Sequence, residues 1–335
     1  RYYHEAIGKP ERRKIIARER SYHGVTVAAA SLTGLPVTQN HFDLPVDALG
    51  ILRTDHPHYY RGKQGGETED EFVDRIVGNL EAMIVAEGPD TIAAFIAEPI
   101  TGASGVIVPP DGYYQKVQAV LNRYDIMFWA DEVITGFGRT GTDFGCNTMG
   151  IESPDMMTFA KQLSSAYMPI SASAIRRDMY DAMIEQTATA GAFGHGYTYS
   201  GHPVACAVAL KVLEIYQRDD IFQNAAITGA YLQKRLAEFS DHPLVGEVRG
   251  SGLLGAIELV ANKEQGTPFL GGAVGGYAQK MAQDNGLLIR AVAGSSLGFC
   301  PPLIITEEQI DEMIAKVGSA LDQTYIHCQK HGLLV

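Results

Sequence analysis

The 335-residue sequence predicts an α/β fold, a mostly parallel sheet with helices on both faces, followed by a smaller C-terminal α+β domain. Three observations predict it. Short, continuously apolar segments recur through the first two-thirds. Helical patterns fall between them. The last third changes texture, to strand pairs punctuated by glycine.

The candidate strands are KIIAR (14–18), TIAAFIAEP (91–99), DIMFWADEV (125–133), MMTFA (156–160) and ISASAI (170–175). Their apolarity is continuous rather than alternating, as expected of parallel strands covered on both faces. Phe72, Ile76, Val77, Leu80 and Ile84 fall at helical spacing after an acidic start, and YYQKVQAVLNRY (113–124) follows the same pattern. GHPVACAVALKVLEIYQ (201–217) predicts a helix with Pro203 in its first turn, where a missing N–H is tolerated. The helical pattern runs on through AYLQKRLAEF (230–239). EVRGSGLLGAIELV (247–260) and GLLIRAVAGSSLGFCPPLIIT (286–306) each predict a strand pair. The last helix opens on a capping box, Thr306 to Gln309, and carries Ile310, Met313, Ile314, Val317 and Leu321 on one face. Two domains are therefore expected, 1–220 and 221–335.

Composition narrows the function. The chain is 46% hydrophobic and 20% charged, with no apolar run long enough to span a bilayer. A net charge of −12 argues against nucleic acid or an anionic membrane as the main partner. Cys146, Cys206, Cys300 and Cys328 are far apart and form no CxxC pair, so neither structural zinc nor a disulfide framework is expected. With no visible signal peptide, the expected location is cytoplasmic. The first residue is Arg1, and RYYHEAIGKPERRK reads as the end of a helix already under way, so further sequence upstream is expected.

Three familiar patterns fail on context. GFGRTG (136–141) matches the dinucleotide fingerprint, yet TDFGCNTMG after it reads as turns, and no acidic residue follows at about 20 positions. GSSLG (294–298) matches the nucleophile elbow, yet FCPPLII after it is extended, so Ser296 reads as a turn residue. His56 and His58 flank a proline, and His195 and His202 are seven apart; neither spacing suits a metal.

Chemistry concentrates elsewhere. FAKQLSSAYMPISASAI (159–175) holds a single charge, Lys161, in a stretch that otherwise reads as buried. After its opening Asp125, DIMFWADEV carries its carboxylates only at its C-terminal end, and PDMMTFAK ends on the lysine. In an open parallel sheet, ligands collect beyond the carboxyl ends of the strands, so Asp131 and Lys161 would share one crevice. A buried ion pair is one reading of such a couple, and a lysine reaching for the surface is another. The third is pyridoxal 5'-phosphate, which takes the lysine amine as a Schiff base and needs a carboxylate to keep its ring nitrogen protonated.

The long segment FWADEVITGFGRTGTDFGCNTMGIESPDMMTFAKQLSSAYMP resembles the signature of the class III pyridoxal-phosphate aminotransferases, which have fold type I. ARERSYHGVTVAAASLTG, AEPITGASGVIVPPDGYYQ, GYTYSGHPVACAVAL and CPPLIITEEQID match as well, in the family's order and over essentially the whole chain. The resemblance implies that Lys161 holds the cofactor and moves the substrate proton, and that Asp131 binds the ring nitrogen. It places Val133 on one ring face and Tyr22 on the other, with His23 and Gly24 beside it. Thr198 would bind the phosphate of the partner subunit's cofactor, so a homodimer with shared active sites is implied. Glu98 would support the site from behind, while Glu132 is taken as structural.

Arg290 matches the arginine that binds substrate carboxylate in the ω-aminotransferase branch, which DHPHYYRG (55–62) also favours. The implied reaction takes an amino group from an ω-amino acid or amine to a keto acid such as pyruvate. Rival expectations are another reaction on the same site, amino-group migration or decarboxylation, and a non-catalytic relative acting as a binding protein. Gln162 stands where the family usually has glycine, and Ser153 interrupts the usual run from acid to proline. The family's N-terminal segment, with a Gly-Ser phosphate-binding turn, is absent from these residues. It is expected to precede Arg1 in the protein, giving an intact mass above 36.3 kDa.

Overall fold

The computed structural model describes residues 1–335 and divides into two compact units. The first comprises Arg1–Pro99, Pro109–Gly136 and Gly145–Tyr216. It holds strands β1 (Lys14–Arg18), β2 (Ile51–Thr54), β3 (Ile92–Ala97), β4 (Met127–Asp131), β5 (Met156–Phe159) and β6 (Ala172–Ile175) in one sheet, ordered β2-β1-β3-β4-β5-β6. Its helices are α1 (Tyr2–Ala6), α2 (Val27–Leu32), α3 (Tyr59–Gly62), α4 (Glu69–Glu87), α5 (Tyr113–Arg123), α6 (Gly145–Met149), α7 (Arg177–Ala190) and α8 (Pro203–Arg218).

β3 is buried along its whole length, as its unbroken IAAFIA requires. On one face Ala94 packs with Met127 and with Met179 of α7, and Ile96 packs with Ala17, Ile51 and Leu32 of α2. On the other, Phe95 and Phe128 meet at 5.7 Å between ring centroids, and Tyr114 of α5 meets Phe128 at 5.9 Å. The core thus lies on both sides of the sheet, the α/β arrangement expected. The helix α4 buries Phe72, Ile76, Val77, Leu80 and Ile84, the predicted stripe, and opens on a capping box between Thr68 and Glu71.

β1 through β5 pair in parallel, whereas β6 runs antiparallel to β5. The expectation that ISASAI is a parallel strand covered on both faces is therefore corrected. A parallel return needs a dozen or more residues, usually helical, to cross the sheet. Here the link opens with a single 3-10 turn at Lys161–Leu163 and reverses instead. β6 is the last strand of the sheet, and Ala172, Ser173 and Ala174 are exposed.

The second unit comprises Ile100–Val108, Phe137–Phe144 and Gln217–Val335. Strands β7 (Val245–Ser251), β8 (Leu254–Asn262), β9 (Thr267–Pro268), β10 (Arg290–Val292) and β11 (Ser296–Phe299) pair antiparallel, with β10-β11-β8-β7 as the main path and β9 on β8. Helices α9 (Ile221–Ala237), α10 (Ala273–Asp284) and α11 (Glu307–Lys330) complete it. The capping box at Thr306 and Gln309 and the buried stripe of α11 are present as read. Ser296 is not a turn residue: it is the first residue of β11 and is buried, with its Oγ 3.3 Å from Arg249 Nη2.

The two inner excursions are tied into this unit by arginines. Arg139 donates to the carbonyls of Leu253 (3.0 Å) and Pro301 (2.6 Å). Arg249 donates from Nε to the carbonyl of Gly105 at 2.8 Å and from Nη1 to Glu247 and Glu258, each at 2.5 Å. Gly252 approaches the backbone so closely that a Cβ there would lie 2.3 Å from the carbonyl carbon of Thr140, and its φ of +56° suits glycine.

His56 follows β2, with burial and then the Arg20 guanidinium holding its pKa down to about 3 from the usual 6.5. The unfolded chain takes up this proton below pH 6.5 and the folded one refuses it until near pH 3, so stability falls with pH across that window. Urea midpoints should drop between pH 7 and pH 5, and His56→Leu should flatten that drop. An equal slope in the variant would remove His56 from the account.

Candidate active site

The site is built at the carboxyl ends of the parallel strands. Asp131 is the last residue of β4, in register with Thr158 of β5, and Lys161 lies two residues beyond the end of β5. The predicted adjacency of acid and amine is therefore present in the strand order. Lys161 has φ +46°, in the left-handed region that costs an L-residue roughly 1–2 kcal/mol. That strain turns the chain sharply from β5 into the 3-10 turn. Lys161 is exposed rather than buried, and the stretch after it leads into an edge strand with no further strand beyond it.

Asp131 is buried, and both of its oxygens are engaged. Oδ2 stands 2.7 Å from His23 Nδ1, and Oδ1 accepts from the backbone N–H of Val133 at 3.1 Å. His23 comes from the loop after β1, which is fixed on every side. Thr33 Oγ1 accepts from His23 N at 2.9 Å and donates to the Gly24 carbonyl at 3.1 Å. Glu98 Oε1 accepts from Tyr22 N at 2.9 Å, and the Glu98 carbonyl receives the Tyr114 hydroxyl at 2.7 Å and Arg18 Nη2 at 2.5 Å. Gly24 has φ +126°, a value its neighbours could not take without strain. Gly34 packs so that a Cβ would lie 2.4 Å from the Arg18 carbonyl oxygen, which closes the base of the same loop.

Tyr22, His23, Gly24, Glu98, Asp131 and Val133 are thus brought into one connected group, with Lys161 on the adjoining strand end. Thr198 is not joined to it: the turn that holds it, between Tyr197 and Ser200, is exposed. Arg290 opens β10 in the second unit and is exposed there. Thr33 escaped the sequence reading, and a threonine at the end of a short helix gives no signal that it will pin a loop ten residues earlier.

Glu132 takes a different part from its neighbour. Fully buried, it accepts from Cys146 N at 2.7 Å, Gly145 N at 2.9 Å and Thr135 Oγ1 at 2.5 Å. These are the first amides of α6, so the segment after GFGRTG, read as turns, does contain a short helix. It begins four residues after Gly141 and not on it, so the fingerprint still lacks a helix on its last glycine. Burial, and then the Glu132 carboxylate, push the Cys146 thiol far up, which keeps it an unreactive thiol.

The donor set suits pyridoxal phosphate. A buried carboxylate held at both oxygens keeps lone pairs for a protonated ring nitrogen, and an amine stands at the end of the next strand for the aldehyde. Tyr22, next in the chain to His23, and Val133, whose N–H meets the acid, are candidate walls for the ring.

Comparison with known proteins agrees with this chemistry. The family model described as Aminotransferase class-III matches residues 1–321. Gamma aminobutyrate transaminase 3, chloroplastic, of Solanum lycopersicum is 49% identical over 324 residues, 96% of this chain and 62% of that protein. Probable gamma-aminobutyrate transaminase 3, mitochondrial, of Oryza sativa subsp. indica is 48% identical over 96% of this chain and 63% of its own length. The chain therefore spans about 62% of the length of the first of these relatives. Among solved structures, a transaminase with L-alanine superposes with a TM-score of 0.95 at 51% identity, covering 97% of this chain and 76% of that one. The omega transaminase of Pseudomonas jessenii in complex with PMP gives 0.94 at 48% identity, over 99% of this chain and 72% of that one.

Proposed function

The chain belongs to the class III aminotransferases, and from that premise we propose that the protein transfers an amino group from an ω-amino acid or amine to a keto acid such as pyruvate. The observation that carries the reading is the pairing of β4 with β5, which sets a doubly anchored Asp131 and Lys161 on neighbouring strand ends. The names of the plant relatives make γ-aminobutyrate the first donor to try.

When bound, pyridoxal phosphate supplies an electrophilic aldehyde carbon and a ring that accepts the electron pair left at the donor's Cα. Lys161 Nζ would hold the aldehyde carbon in the resting protein and, once the donor's amine has displaced it from that carbon, would be free to carry the proton away from the donor's Cα. Asp131 would hold the ring nitrogen and keep it protonated, because a neighbouring carboxylate favours the charged ring. Tyr22 and Val133 would enclose the ring, and Glu98 holds Tyr22 by its backbone. By the resemblance, Arg290 would receive the donor's distal carboxylate.

A second copy of the chain supplies Thr198 to the phosphate. Tyr167, Tyr197 and Tyr199, each about four-fifths exposed, are the surface this pairing would cover. The four cysteines are all free, which supports a reducing compartment, and we place the protein in the cytoplasm.

The test is a half-reaction. The full-length protein is loaded with pyridoxal phosphate, then given γ-aminobutyrate or β-alanine with no keto acid, while its visible absorption band is followed. The band should fade and pyruvate should restore it. A band that forms but ignores both donors would refute the donor class, and carbon dioxide release would point to decarboxylation. No band at all would refute the cofactor assignment.

A further inference from the structure

We infer that His23 is a positioning residue for Asp131, acting through the proton on Nδ1. The inference rests on the pyridoxal-phosphate reading above. Nδ1 lies 2.7 Å from Asp131 Oδ2, and a carboxylate only accepts, so this nitrogen carries the proton. The other ring nitrogen, Nε2, is buried and has no hydrogen-bond partner. Within the chain, the imidazole bonds only to Asp131. The two side chains are 2% and 6% exposed, so no solvent competes for the bond.

The backbone delivering the ring cannot wander. Thr33, fully buried, holds His23 N and the Gly24 carbonyl, and Glu98 holds Tyr22 N. The second donor to Asp131, Val133 N, arrives from the opposite side of the acid in sequence and grips the other oxygen. A carboxylate gripped at both oxygens by groups on two separate loops cannot rotate about its Cβ–Cγ bond without breaking one contact. Its remaining lone pairs then face one fixed direction, where a ring nitrogen can be met without reorganisation.

The chemistry of substitution separates this role from packing. An asparagine amide can stand near Nδ1, a glutamine amide reaches nearer Nε2, and phenylalanine keeps the ring without a donor. The wild type, His23→Asn, His23→Gln and His23→Phe are each loaded with pyridoxal phosphate. Two quantities are measured: the cofactor dissociation constant, and the pH midpoint of the visible band. His23→Phe and His23→Gln should weaken cofactor binding on the order of 10- to 100-fold, the range seen when partners of a ligating group are lost, and should move the pH midpoint. His23→Asn should restore both toward wild type.

Equal behaviour of Asn and Phe, or a wild-type midpoint in Phe, would overturn the inference. A wild type that takes up no cofactor would defeat the cofactor reading instead. In that case nitrogen-15 NMR of the ligand-free protein still decides: a proton found on His23 Nε2 rather than Nδ1 refutes the geometry, and one on Nδ1 upholds it. Thermal melts of each variant identify one that has lost its fold, and the NMR measurement needs no variant.

Discussion

Replacing Lys161 by alanine should abolish the donor half-reaction, with a loss on the order of 10²–10⁴-fold from proton transfer alone and more from the lost hold on the aldehyde. The reason is positional. The side chain leaves the backbone at the end of β5, one strand from Asp131, and no other amine occurs in the segment from Phe159 to Ile175. Lys161→Arg should fare no better, since a guanidinium neither deprotonates nor adds to an aldehyde.

Stability should move the other way. Lys161 is exposed and sits at φ +46°, so glycine there relieves strain, and Lys161→Gly should be inactive yet as stable as wild type or up to about 1 kcal/mol more so. Single-turnover absorbance with γ-aminobutyrate and urea titration would read the two effects separately. A Lys161→Ala protein retaining a tenth of the wild-type rate would remove the lysine from the mechanism.

Glu132→Ala is expected to do the reverse: a stability loss of roughly 3–5 kcal/mol, with the chemistry of Asp131 spared in whatever protein still folds. Glu132 is wholly buried and accepts from two backbone amides and one hydroxyl. Truncation leaves three buried donors with no acceptor and no room to borrow one. A Cβ on Gly145 would already lie 2.5 Å from Thr135 Cβ, so the segment cannot slide to find another partner. Glu132→Gln keeps one acceptor but turns an N–H toward an amide, and should fall between. Denaturant unfolding monitored by the single tryptophan, Trp129 on β4, which ends one residue before Glu132, is a direct probe. A cost below about 1 kcal/mol would show that water replaces the carboxylate.

Sequence patterns reached far into this fold but stopped at definable places. The strands β1, β3 and β4 were legible because a largely buried parallel strand has no polar face to confuse the pattern, and β5, though only half-buried, because its MMTF carries no charge. β2 was not, since ILRT carries Arg53, and only the structure shows that guanidinium accounted for by the carbonyls of Ser31, Leu32 and Thr33. The direction of β6 was misjudged because small residues such as Ser173 and Ala174 fit either pairing. The helix α7 went unread for a similar reason: it buries only Met179 and has no apolar stripe.

In the site, Asp131 and Lys161 declared themselves by standing at the ends of apolar runs. The bond between His23 and Asp131 could not be read, because 108 residues separate the partners and neither end carries a local mark of the other.

The chain enters the second unit three times, at Ile100, Phe137 and Gln217. Neither unit is thus a single stretch of gene. A recombination or truncation made between Tyr216 and Gln217 would look clean on paper, yet it would leave two short pieces of the second unit behind. Arg249 would lose the Gly105 carbonyl, and the Leu253 and Pro301 carbonyls would lose Arg139. Exchange of the C-terminal part between homologues should therefore succeed only when 100–108 and 137–144 travel with it, so that three segments are inherited as one.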